Sequence, residues 1–226
     1  MFDSGKPSTA AAGLGLRSCS MTIWLVRHGE TAWSLSGQHT GSTDIPLTAQ
    51  GRLQAVAVGK LLAGRTFDHV LASPMGRARE TGALAGFGDR IEVHERLREY
   101  DYGEFEGLTT REIWVRHPGW ELFHDGCPGG ESPEQMSKRA DALLEELREL
   151  EGNVLLFGHG HCFRSIAVRF LDLPIGLATN LQLNAATISV VADGRDGPSL
   201  LLWNRRVSPQ AMVVADIAAA IADAVP

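Results

Sequence analysis

The sequence predicts a three-layer α/β/α fold with a mostly parallel central sheet, an antiparallel edge strand and an inserted roof over one end of the sheet. Three observations carry the prediction. Short, almost continuously apolar runs at 22–28, 69–73 and 153–158 suit strands covered on both faces, as in parallel sheets. Segments of helical period follow them, so strand and helix alternate along the chain. Two alternating runs, 186–192 and 199–204, flank the turn-formers Asp193-Gly194 and Asp196-Gly197 and read as an antiparallel hairpin at a sheet edge.

Each element has its local reason. Residues 1–20 contain an Ala-rich patch broken by Gly13 and Gly15, a poor secretory core, and are expected to form a flexible extension ahead of ordered patterning that begins at Met21. The strand at 22–28 ends at Arg27-His28-Gly29, and the polar, aperiodic stretch 30–47 reads as a long loop of the kind that usually carries function. Thr48 is placed to cap a helix with Leu53, Val56, Ala57 and Leu61 on its buried face, closed by Gly64. A strand at 69–73, a helix from Met75 to Ala85 and a short strand at Ile91–Val93 follow. Residues 98–130, dense in acids, aromatics, Gly and Pro, break the rhythm and form the roof. Ser132-Pro133-Glu134-Gln135 supplies a cap, a proline at the first helical position and a reciprocal Gln. The helix it opens buries Met136, Ala140, Leu143, Leu144 and Leu147 and stops at Gly152. The strand 153–158 ends at His159-Gly160-His161, and a helix is expected from about Phe163 to Leu171. The domain is therefore expected to span 21–210, with a helical tail over 211–226.

Composition narrows the function. The chain has 226 residues, 44% of them hydrophobic and 21% charged, which suits one folded domain and excludes disordered, collagen-like and coiled-coil classes. The net charge of −6 repels nucleic acid and anionic membrane, so neither is expected as a partner, and an anionic ligand would need a local cluster of cations. No run of 18 apolar residues is present, and none is expected to span a bilayer. Cys19, Cys127 and Cys162 form neither a disulfide framework nor a zinc knuckle, which points to a reducing, cytoplasmic setting.

The chemistry is expected where strands end. His28 and His159 each close a strand and precede a glycine, at the carboxyl edge where open α/β sheets hold ligands. Either imidazole alone reads as a packed strand-end residue; the pair beside Arg27 reads as a site. The glycines are expected to let substrate approach the backbone. Arg27 offers a planar fork for two phosphate oxygens, and Arg77, in the first turn of a helix where a cation is electrostatically misplaced, is explained by a nearby anion. Glu99 lies in Leu97-Arg98-Glu99-Tyr100-Asp101-Tyr102-Gly103, between aromatics of the roof, and a carboxyl beside apolar rings and near no fixed cation stays protonated, the state of a general acid. Glu95, Asp101, Glu104 and Glu106 share its segment, however, and spacing does not choose among them.

Five motifs occur in one order: Arg27-His28-Gly29-Glu30-Thr31, Ser73-x-x-x-Arg77-Ala78-x-x-Thr81, Leu97-Arg98-Glu99-x-x-Tyr102-Gly103-x-x-Glu106-Gly107, Gly130-Glu131-Ser132 and Gly158-His159-Gly160. Together they resemble the histidine phosphatase superfamily, the phosphoglycerate-mutase-like proteins, over about residues 21–205. The resemblance implies a nucleophile at His28, a phosphate pocket of Arg27, Arg77 and His159, a proton donor at Glu99, no metal and no cofactor. It also implies a covalent phosphohistidine. Mutases of the family have a longer insertion before the Gly-Glu-Ser motif and an Asn where this chain has Ser34, so the resemblance favours a phosphatase of small phosphorylated metabolites such as sugar phosphates. Gln38, His39, Thr40, Tyr102, Gly160 and His161 are candidates for the substrate lip. A phosphoglycerate mutase and a catalytically inactive phospho-ligand-binding module are the alternatives. The edge hairpin and the apolar C-terminal segment each offer a surface for a homodimer.

Overall fold

A computed structural model describes residues 21–206. The expected N-terminal extension (1–20) and helical tail (211–226) lie outside the described residues. In chain order the elements are β1 (Thr22–Arg27), α1 (Ala32–Ser36), α2 (Ala49–Leu62), β2 (His69–Ala72), α3 (Gly76–Gly82), β3 (Glu92–Val93), α4 (Thr110–Arg116), α5 (Leu122–Asp125), α6 (Pro133–Arg148), β4 (Asn153–Gly158), α7 (Gly160–Phe170), β5 (Thr187–Gly194) and β6 (Gly197–Arg206).

The strands form one six-stranded sheet in the order β3-β2-β4-β1-β5-β6. β1, β2, β3 and β4 pair in parallel, whereas β5 runs antiparallel to β1 and β6 antiparallel to β5. Side chains alternate across the sheet as the pleat requires. Ile23, Leu25, Val154 and Leu156 join a core with α6, α7 and the roof, while Val26, Leu155 and Phe157 join a second core with Val58 and Leu62 of α2. Both faces are apolar because both are covered, which is why β1 and β4 lack a polar face. The mostly parallel sheet between two helical layers is the fold the sequence predicts.

The local signals act as expected in most places. Thr48 accepts from Gly51 N–H, and Ser132 and Gln135 make the reciprocal capping box of α6, which buries all five predicted apolar residues. Three details differ. α2 buries Ala55, Val58 and Leu62 along with the predicted Val56 and Ala57, while Leu53 and Leu61 stay half-buried. Its small residues let it approach closely: a Cβ on Gly59 would stand 2.5 Å from the Ala85 carbonyl oxygen. α7 starts at Gly160 instead of Phe163, so its first turn stands directly against the end of β4. The stretch 30–47 contains the short helix α1, capped reciprocally by Thr31 and Ser34. Ser34 therefore has a local structural duty.

Candidate active site

Parallel pairing brings the sequence-distant candidates together. β1 and β4 are neighbours with Arg27 opposite Gly158, and β2 borders β4 on its other side. His28 N–H bonds the Gly158 carbonyl at 2.9 Å, and Ser73 N–H bonds the Phe157 carbonyl at 2.9 Å. Residues 28, 159 and 73 thus stand side by side at the carboxyl edge of three adjacent strands, where ligands of open α/β sheets bind.

His28 is buried, and its Nδ1–H donates to the Gly29 carbonyl at 2.7 Å. That bond fixes the tautomer and leaves the Nε2 lone pair free. Burial first, then Arg27 and Arg77, holds the imidazole well below the usual histidine range and keeps it neutral. The His159 ring lies edge-on, with centroids 5.3 Å apart, and its Nε2 is 2.7 Å from Ser73 Oγ. Burial, Arg77 and His28 lower its pKa in the same sense.

The two arginines are held by backbone. Arg27 Nη1 donates to the Leu183 carbonyl. Arg77, 1% exposed, donates to the carbonyls of Thr40, Gly41 and Thr43 at 2.9–3.0 Å and lies 3.5 Å from Asp44. Its terminal nitrogens are therefore largely committed to loop 40–44, and the open fork expected from sequence is reduced to one edge. Among the described residues, three buried donors or acceptors of this cluster have no partner: Arg27 Nε, Arg77 Nε and His159 Nδ1. Unpaired buried polar groups are costly, and an anion among them would be bonded from several sides.

Glu99 requires a correction. The sequence suggested a carboxyl among rings and away from cations; in the fold it meets the first turn of α7. Oε1 accepts N–H bonds from Tyr100 at 2.9 Å and Cys162 at 2.8 Å, and Oε2 accepts one from His161 at 3.1 Å. Its charge acts on both Arg27 and Arg77. The early start of α7 is the reason, because it aims helical N–H groups at the carboxyl. Arg139 fixes the same segment by bonding the carbonyls of Arg96, Arg98 and Glu99 and pairing with Glu131 at 2.7 Å.

The lip residues line one cavity of 260 Å³ with Arg27, His28 and Glu99. Arg77 and His159 do not line this cavity; Arg77 instead borders a wider hollow of 550 Å³ beside Arg79 and Ile91, which has no imidazole in its wall. Within the lip, Gln38 Nε2 donates to the Gly107 carbonyl at 2.8 Å and Thr40 Oγ1 to the Gln38 carbonyl at 3.1 Å. Tyr102 Oη and His161 Nδ1 are 2.5 Å apart, and His39 packs over Tyr102 at 4.8 Å. Burial lowers His39 to about 4. The glycines also do more than admit substrate: Gly29 packs backbone-to-backbone on Gly51 of α2, and a Cβ on Gly160 would stand 3.2 Å from Arg27 Cζ.

Sequence reading missed Thr110, Arg164 and Gln182 in the cavity wall, and Ser73 beside His159. Arg164 lies four residues after Gly160, hence one turn along the same helical face, a signal available once the helix start is known. It donates to the Ala178 and Thr179 carbonyls and lies over Phe123, and burial lowers it to about 10. Thr110 and Gln182 come from segments with no motif. Among the described residues, no three His, Cys, Asp or Glu side chains gather as metal ligands.

Comparison with known proteins identifies relatives over most of the chain. Residues 23–206 match the family model described as histidine phosphatase superfamily (branch 1). An acid phosphatase of Mycobacterium tuberculosis is 41% identical over 172 residues, covering 74% of this chain and 84% of that protein. A sedoheptulose 1,7-bisphosphatase of Saccharomyces cerevisiae is 33% identical, covering 67% of this chain and 68% of the yeast protein. A probable phosphoglycerate mutase of Salmonella choleraesuis is also 33% identical, covering 75% and 83%. The solved structure of an open reading frame from Mycobacterium tuberculosis superposes with a TM-score of 0.80 at 36% identity, covering 83% of this chain and 99% of that one. A mycobacterial glucosyl-3-phosphoglycerate phosphatase superposes at 0.72 with 26% identity, covering 82% and 99%.

Proposed function

For a chain that belongs to the histidine phosphatase superfamily, we propose that a phosphomonoester enters the 260 Å³ cavity phosphate-first and is hydrolysed in two displacements at His28. The enzyme is a phosphoric monoester hydrolase acting on small phosphorylated metabolites. The observation that carries the residue roles is the neutral, tautomer-locked His28 beside three unpartnered buried nitrogens on Arg27, Arg77 and His159.

In the first displacement Nε2 of His28 attacks phosphorus and the bond to the substrate alcohol oxygen breaks. The positive charge that forms on the ring is stabilised by its Nδ1–H bond to the Gly29 carbonyl. Arg27, Arg77 and His159 hold the equatorial oxygens, where charge accumulates. The departing alkoxide takes a proton from Glu99. That proton arrives with the substrate as its phosphate monoanion, and Oε2, with one N–H bond against two on Oε1, is the oxygen that holds it. In the second displacement water attacks phospho-His28, Glu99 takes the water proton, and the N–P bond breaks to return the electron pair to Nε2. The guanidiniums supply the positive charge, so neither metal nor cofactor takes part. Gly160, Tyr102, His161, His39, Gln38 and Thr40 shape the mouth around the alcohol portion. We place the protein in the cytoplasm, supported by Cys127 and Cys162, both buried and unpaired. A homodimer contact is assigned to the free edge of β6, where Leu201 is 62% exposed, and sedimentation velocity tests it.

The test is phosphate release in EDTA from sugar phosphates, sugar bisphosphates, phosphoglycerates and an aryl phosphate, with wild type and His28→Ala in parallel. Release that depends on His28 is expected. Phosphoglycerate interconversion without net release would move the chain to the mutases, a reading the Salmonella relative's name keeps in view.

A further inference from the structure

Ser73 takes no part in either displacement, yet its hydroxyl lies within hydrogen-bond distance of His159 Nε2. The side chain is 0% exposed, and Oγ has two polar partners among the described residues: it accepts from Met75 N–H at 3.3 Å and lies 2.7 Å from His159 Nε2. A hydroxyl has one proton to donate. Met75 N–H is itself a donor and cannot receive it, so Nε2 is the acceptor available among the described residues. The reverse arrangement, Nε2–H donating to Oγ, would leave the buried hydroxyl proton without a partner.

From this balance we propose that Ser73 is a positioning residue: by donating to Nε2 it fixes the single ring proton of His159 on Nδ1, from which the ring donates to the substrate phosphate. The proposal rests on the reading of the cavity as a phosphate site and refines it. Burial and the neighbouring arginines keep His159 neutral, so the ring has one proton to place. Nδ1 is buried without a partner, like Arg27 Nε and Arg77 Nε, so the same anion would satisfy all three. Without Ser73 the proton could move to Nε2, and a lone pair would then face the phosphate oxygens in place of a donor. The arrangement mirrors that of His28. A Gly29 carbonyl accepts from Nδ1 there and frees Nε2 to attack, while a Ser73 hydroxyl donates to Nε2 here and leaves Nδ1–H to bind. Both imidazoles then carry their proton on Nδ1, but the second hydrogen bond turns opposite nitrogens to the phosphate, the bare Nε2 of His28 to attack it and the Nδ1–H of His159 to bind it.

Nitrogen-15 NMR of the full-length protein labelled at histidine nitrogens reads the tautomer directly, with and without vanadate as the phosphate mimic. Wild type is expected to carry the His159 proton on Nδ1 in both states. Ser73→Ala should lose that fixed tautomer and lower kcat by about 10–100-fold, the range typical of hydrogen bonds that orient a functional histidine. Ser73→Cys, close in shape with a weaker donor, should fall between the two, which separates loss of the proton from loss of packing. A wild-type spectrum with the His159 proton on Nε2 overturns the proposal without recourse to any variant, as does a Ser73→Ala protein with unchanged tautomer and rate. The tautomer is measured in the free protein, so absence of phosphatase activity would overturn the reading of the cavity and leave this assignment to be decided by the spectrum.

Discussion

The floor and the lip of the cavity are built on opposite principles. At the floor, Arg27 and His28 line the cavity with Arg77 and His159 buried beside them, all at strand ends or on the short helix next to them, and three of the four have a buried nitrogen with no protein partner. In the lip, Gln38, Thr40, Tyr102 and His161 make hydrogen bonds to one another or to the roof backbone. Unpaired buried donors cost stability unless a ligand satisfies them, whereas paired ones stabilise the fold with or without it. The floor is thus poised for an anion, and the lip is first of all a scaffold that holds loop 37–44 against the roof. Glu106 and Arg77 hold that loop from two sides, Glu106 by accepting from Gly41 and Thr43 N–H and Arg77 by donating to its carbonyls.

On this contrast, substitutions at the floor histidines should remove activity and leave stability nearly intact, and substitutions in the lip should do the reverse. The largest effect is expected for His28→Ala, with kcat reduced by at least about 10³-fold and no acid-labile phosphoenzyme after a rapid quench. More than a few percent of residual turnover would exclude His28 as nucleophile. Glu99→Gln should slow alkyl phosphates by about 10²–10³-fold but aryl phosphates by less than about 10-fold, because a good leaving group departs without a proton. Equal losses on both would remove its acid role.

The third prediction concerns pH. His28, His39, His159 and His161 all have folded-state pKa values below the ordinary 6.5, each chiefly through burial. Below about 6.5 the unfolded chain therefore binds protons that the folded chain refuses, and stability should fall as pH drops through that value. His39, lowered to about 4, contributes roughly 3 kcal/mol to this loss between 6.5 and 4, readable as a falling urea midpoint. A midpoint constant over that range would show that the buried imidazoles protonate without cost. The smallest effect is expected for Gln38→Ala, which should lower stability by about 1 kcal/mol through the lost bond to Gly107 while changing kcat by less than about 2-fold. A large fall in kcat with an unchanged melting temperature would move Gln38 from scaffold to substrate contact.

How much of this is legible without coordinates depends on whether the cause is local. The caps at Thr48 and Ser132, the two-faced apolar strands and the hairpin at Asp193-Gly194 follow from near neighbours in sequence, and they appear where expected. The buried face of α2 does not, since Ala55 and Gly59 matter there through what lies opposite them. The setting of Glu99 was missed for the same reason: its N–H donors at 161 and 162 are sixty residues away in the chain.

The sequence by itself determined the alternation of strands and helices, the placement of His28 and His159 at strand ends, and, through five ordered motifs, the family. Those properties follow from periodicity, capping and residue type, which act over a few positions. Tertiary structure alone decided which polar atoms are already satisfied. Parallel pairing of β1, β4 and β2 sets Ser73 against His159, and the early start of α7 directs N–H groups at Glu99. Loop 40–44 occupies most of Arg77. A hydrogen bond forms between groups within about 3 Å whatever their separation along the chain, so the hydrogen-bond state of each side chain around the cavity is set by folding and not by the motif that contains it.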